Sequence, residues 1–196
     1  MGTKKFRINA KRFYSAHHTL LRIAKYSLVE AEAKEARQAD WEFSAITLSS
    51  LAIEAFCNAV GERVIDNWSD FESCNPMAKI RLISEHLNIN YDSSEAPWDS
   101  VVWLSKMRNR IVHPKAEPIL YQAVISEQEH RERALKSTDA PKSRLEKEIT
   151  LDNAIKSIEA VNTMIALICE KLTPEQKHGI SDDTWGGSVT AFESHD

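Results

Sequence analysis

The sequence predicts an all-α protein, a bundle of about five main helices with a charged insertion before the last one. Glycine (5) and proline (6) are scarce, together about half the usual share, so the many tight turns of a sandwich or barrel are not expected. Apolar residues recur at spacings of three and four over several long stretches. One of these stretches is apolar around most of its circumference, the mark of a bundle's central helix. With 196 residues, 42% hydrophobic and 28% charged, the chain has the size and composition of one domain with a sizeable core. That domain is expected over residues 1–172, with the insertion at about 114–148 and a flexible C-terminal tail over 173–196.

Phe13, His17, Leu20, Leu21, Ala24 and Leu28 place a first helix over about Ala10–Arg37. Trp41 to Ile65 reads as the central helix, with Phe43, Ile46, Leu51, Ile53, Phe56 and Val60 among residues pointing in too many directions for a surface helix. Asn75-Pro76 opens a third, with proline near the favoured first position. A polar link, Asn88 to Ala96, leads to a fourth helix from about Pro97 to Val112. His113-Pro114 ends it, because proline disfavours helical backbone in the residue before it. Ile119 to Ile125 is strand-like in composition but has no evident partner. Ser126 and Glu129 form a capping-box pattern opening a charged helix to about Lys136. Thr150 caps a last helix whose stripe includes Ile155, Ile158, Ile165 and Ile168.

Cys57, Cys74 and Cys169 are widely separated and form no C-x-x-C pair, which indicates neither a disulfide framework nor a zinc site. The N-terminal charges are followed by no apolar stretch of the secretory kind, and no apolar run approaches about 18 residues. A cytoplasmic protein that does not engage a membrane is therefore expected. Glycine-rich phosphate loops, G-x-S-x-G and H-E-x-x-H are all missing. His17 lies on an apolar stripe and reads as a hydrogen-bonded core residue, while its neighbour His18 should diverge from it by about 100°. No metal and no cofactor are expected.

A net charge of −4 does not describe a protein coated for nucleic acid, but the charge is uneven. Five basic residues and no acid fall between Lys4 and Arg12, a cluster read as a solvated helix face. Lys106, Arg108, Arg110, His113 and Lys115 fall between Ser100 and Ala116, again with no acid. On a helical wheel Arg108 sits within the apolar face defined by Val101, Leu104, Ile111 and Val112, a costly place for a charge unless it is paired or lines a cavity. Glu54 interrupts the central helix in a narrow polar stripe with Thr47, Ser50 and Asn58. Either that stripe faces water or it forms an internal seam in which Glu54 meets Arg108.

Arg108-Asn109-Arg110-Ile111-Val112-His113 resembles the Arg-Asn-x-x-x-His motif of the HEPN (higher eukaryotes and prokaryotes nucleotide-binding) superfamily. Ile53-Glu54-Ala55-Phe56-Cys57-Asn58 resembles that family's second helix, in which a Glu followed four residues later by an Asn is common. The resemblance spans roughly residues 10–172, with the charged excursion as an insertion. It implies a helical bundle that dimerises with two motifs facing one cleft, and in many members a metal-independent endoribonuclease of toxin–antitoxin, phage-defence or RNA-processing systems. Some toxin members carry a modified Tyr two residues after the His, a position held here by Lys115.

On that resemblance His113, Arg108 and Asn109 are the expected catalytic residues, supported by Glu54 and Asn58, while Lys106, Arg110 and Lys115 guide RNA. The chemistry is consistent with these residue types. A histidine titrating near neutrality can take or give a proton, and a guanidinium can stabilise a phosphorane. One histidine per chain does not readily do both proton transfers in a single step, so a homodimer is expected, with an antitoxin or other protein as a further partner. Two other readings remain at this stage: a non-catalytic HEPN-like module binding a nucleotide, RNA or protein, and a plain helical scaffold.

Overall fold

A computed structural model describes residues 4–33, 37–120, 122, 124, 126–134, 141–181 and 185–193. The protein is predominantly helical. After strand β1 (Lys4–Arg12) come helices α1 (Ala16–Glu32), α2 (Gln38–Val64), a 3₁₀ turn (Trp68–Phe71), α3 (Pro76–His86) and α4 (Trp98–Val112). The chain continues through α5 (Glu127–Ala134), α6 (Arg144–Glu148), α7 (Leu151–Lys171), α8 (Pro174–Lys177) and strand β2 (Trp185–Glu193).

The centre of the bundle is α2, which packs against α1, α3, α4 and α7. Ile46, Ile53, Phe56 and Val60 are fully or almost fully buried there. By length and composition α2 could also cross a membrane, but half of its most apolar window is enclosed by the other helices, as the core helix of a bundle requires. Gly61 lets the 3₁₀ turn close onto α2: a Cβ at this position would stand 2.4 Å from the Trp68 indole. Leu21 and Ala24 of α1, Ile80 and Ile83 of α3, Val101 and Leu104 of α4, and Val161 and Ile168 of α7 complete one continuous core.

The helix starts follow their sequence signals. Asn75 Oδ1 accepts the Ala78 N–H at 2.9 Å with Pro76 in the first turn of α3, and Thr150 Oγ1 accepts the Asn153 N–H at 3.2 Å at the start of α7. Ser126 and Glu129 make the expected reciprocal cap of α5, whose described part ends at Ala134; Lys136 lies outside the described residues. A further capping box, Ser143 with Glu146, opens α6 within the charged excursion.

Three expectations are corrected. The first helix does not begin at Ala10: residues 4–12 form a strand and α1 starts only at Ala16. Alternation in Phe6-Arg7-Ile8-Asn9-Ala10 suits a strand, and β1 pairs antiparallel with β2, matching Phe6 with Ala191 and Ile8 with Val189. That partner is so remote in sequence that periodicity near residue 10 gave no hint of it. The basic cluster over residues 4–12 is accordingly a strand, not a helix face. Of the expected tail over 173–196, the described residues 173–181 and 185–193 are structured: Thr173 and Gln176 cap α8 with a capping box, and 185–193 form β2. Ile119, Leu120, Gln122 and Val124 form no strand; Tyr121, Ala123 and Ile125 lie outside the described residues.

Candidate functional site

The site is built where α2, α3 and the C-terminal half of α4 meet. α4 delivers Arg108 toward α2, where its Nη2 donates to Glu54 Oε2 at 3.3 Å. The internal polar seam is therefore present. Both side chains are 29% exposed, so the pair lies at the rim of the core and not within it. Arg108 Nη1 also donates to Asn109 Oδ1 at 3.1 Å, while Arg108 Nε is closed off from solvent with no partner among the described residues.

A third charge completes the cluster. Lys79 of α3 is 0% exposed; its Nζ donates to Asn58 Oδ1 at 2.9 Å and reaches Glu54 Oε1 at 3.4 Å. One carboxylate thus faces two cations, at 3.3 and 3.4 Å, both long for charge-assisted bonds. Formal charge at the cluster is net positive, and the excess lies toward Arg108, the cation with solvent access. Sequence reasoning found Glu54, Asn58 and Arg108 but missed Lys79. The available signal was its place on the buried face of α3, four residues before Ile83 and next to Ile80. Asn58 supports Lys79 directly and Arg108 only through the shared Glu54.

His113 caps α4. Its N–H still donates to Asn109 O at 3.0 Å, and its φ −122°, ψ 54° leave the helical region as Pro114 follows. His113 is exposed, as are Lys106, Asn109 and Lys115. The motif therefore presents one half-buried guanidinium tied to α2 and one solvent-facing imidazole at the helix end.

Arg110 has a different employment from the expected one. Its guanidinium clasps the Glu148 carboxylate with both terminal nitrogens, Nη2 at 2.7 Å from Oε2, and Trp103 Nε1 donates to the same oxygen at 3.0 Å. The hydrogen bond from Arg110 holds the Glu148 carboxyl below its ordinary value. Arg110 is thus a clamp that docks α6 onto α4 and is not a free RNA guide. Asn153 Nδ2 donates to Glu148 O at 2.8 Å, tying the same point to α7.

His17 is the core residue its stripe suggests. Its Nε2 lies 3.1 Å from Ile180 O and its Nδ1 2.6 Å from Ser15 Oγ, an arrangement satisfied by Nε2–H donating to the carbonyl and the hydroxyl donating to Nδ1. Burial, with a smaller contribution from His18, pushes its pKa down to about 4. The expected divergence from His18 is not found: the two rings lie 4.0 Å apart between centroids, tilted by 36°. Burial pushes the Cys57 thiol up to about 12, which makes it inert beside the cluster. No family model matches this chain, and no match to it emerged among curated proteins or solved structures.

Proposed function

We propose that this protein is a metal-independent endoribonuclease of HEPN type, working as a homodimer in which two copies of the Arg108–His113 segment share one cleft. The observation that carries the reading is the Glu54 cluster. A single carboxylate placed between Lys79 and Arg108 orients the guanidinium while leaving positive charge unneutralised at its exposed side. A guanidinium so held suits a phosphoryl group, whose charge increases as the phosphorane forms.

In this mechanism the neutral imidazole of one His113 removes the proton from a ribose 2′-hydroxyl. The 2′ oxygen attacks phosphorus, and the P–O5′ bond breaks as the protonated His113 of the second copy gives its proton to the departing oxygen. The products are a 2′,3′-cyclic phosphate and a 5′-hydroxyl, and the two histidines exchange protonation states. Arg108 stabilises the phosphorane. Asn109, already on the guanidinium at 3.1 Å, orients it, and Glu54, Lys79 and Asn58 fix its base. Lys106 and Lys115, both exposed, meet the RNA backbone. A cytoplasmic toxin or defence role, with an antitoxin as partner, belongs to the same reading.

The test is cleavage of single-stranded RNA in EDTA, with analysis of the new ends. Cyclic phosphate ends from the wild type, lost in Arg108→Ala and His113→Ala, support the proposal. Wild-type protein that dimerises and binds RNA but never cleaves it points instead to a non-catalytic binding module.

A further inference from the structure

A cleft of about 530 Å³ lies between α1, α7 and the turn after α8, within the size range of small-molecule sites and sharing no residue with the Glu54 cluster. His18, Arg22, Lys25 and Val29 follow one another at spacings of three and four, with Tyr26 one turn after Arg22, so one face of α1 forms a wall. Leu21, Ile165 and Ile180 supply an apolar floor.

Two features of this lining point to a ligand. Tyr26 and Val29 are 63% and 60% exposed, an apolar surface left open on α1. Arg22 and Lys25 form no ion pair among the described residues, and no carboxylate lines the cleft among them, although the chain as a whole carries a net charge of −4. Asp182 and Asp183, next in sequence after the lining residue Ser181, lie outside the described residues. His18 Nε2 is closed off from solvent with no hydrogen-bond partner among the described residues. The adjoining His17 has both nitrogens engaged and offers the cleft only its ring.

We infer that the cleft binds a small amphipathic anion: an aromatic or apolar body seated on Leu21, Val29 and Ile165 beside Tyr26, with a carboxylate or phosphate head held by Arg22 and Lys25. Neither part suffices alone. Exposed cations hold a free anion weakly in water, and the apolar floor gives no preference for charge.

Calorimetric titration of the full chain tests this with 1-naphthyl phosphate and 1-naphthoate as probes, and with 1-naphthol and inorganic phosphate as the separate halves. At least one charged naphthyl probe is expected to bind with a Kd of about 10–100 µM, and each half at least about tenfold more weakly. The tighter of the two charged probes identifies the head group. Arg22→Gln/Lys25→Gln is expected to weaken binding at least about tenfold with an unchanged melting temperature, and Tyr26→Ala to weaken it by less. No binding of either charged probe up to millimolar concentration, equal binding of 1-naphthol, or full binding by the double variant would overturn the inference. RNA cleavage does not enter this measurement, so its outcome is independent of the ribonuclease proposal.

Discussion

Lys79 and Arg108 meet at Glu54 with opposite tolerances for losing it. Lys79 is enclosed and keeps only Asn58 if the carboxylate is removed, whereas Arg108 can turn to water. Glu54→Ala is therefore expected to cost about 2–4 kcal/mol in urea unfolding, toward the lower end for unpairing a buried charge because Glu54 itself has solvent access. Lys79→Met should cost less, since Glu54 keeps Arg108; the reverse order would show that the lysine is not held by the carboxylate. His17 makes a second prediction, in pH. The unfolded chain takes up its proton near 6.5 and the folded chain only near 4, so stability is full above about 6.5 and declines as pH falls toward 4. The decline is at most about 3 kcal/mol, and His17→Gln should flatten it in urea titrations at pH 7 and pH 4.5. At this scale the sequence was informative wherever a polar residue broke an apolar stripe. Glu54, Arg108 and His17 all did so visibly. Lys79 did so as well, beside Ile80, but a long side chain beside an apolar residue is usually solvated and attracts no notice.

Among the elements, α6 shows how a charged excursion is returned to a bundle. Glu148 receives two hydrogen bonds from Arg110 and one from Trp103, and Leu145 and Ile149 pack against the core on either side. Glu148→Ala should cost only about 1 kcal/mol, because both partners are substantially exposed. Its clearer effect is local: amide exchange over 144–149 should quicken while α2 remains protected, and unchanged exchange there would refute the clamp. The turn after α8 is a tighter joint. Gly179 has φ 75° and leaves no room for a side chain, a Cβ there falling 2.4 Å from Phe13 Cβ, while the neighbouring Ile180 carbonyl takes the His17 hydrogen bond. Gly179→Ala is expected to destabilise by about 1–3 kcal/mol and to lower the melting temperature accordingly. Helices α2, α3, α4 and α7 were legible because their stripes and caps are local signals. The β1–β2 pair was not, since a strand is defined by its partner and that partner lies at the other end of the chain.

For the molecule as a whole, the proposal needs two copies. Within one chain Arg108 points to α2 and His113 stands exposed at the helix end. A single copy offers one motif imidazole for two proton transfers. Subunit pairing leaves no periodic trace in a sequence, so the proposed dimer rests on the motif resemblance and on the need for two proton transfers. The most direct measurement uses mixed dimers of wild-type and His113→Ala chains, isolated with two different affinity tags and assayed for RNA cleavage in EDTA. With one histidine acting as base and the other as acid, mixed dimers should lose at least about a hundredfold in rate, as should His113→Ala dimers. Mixed dimers retaining half of the wild-type rate would contradict the account, because each chain would then be cleaving RNA alone.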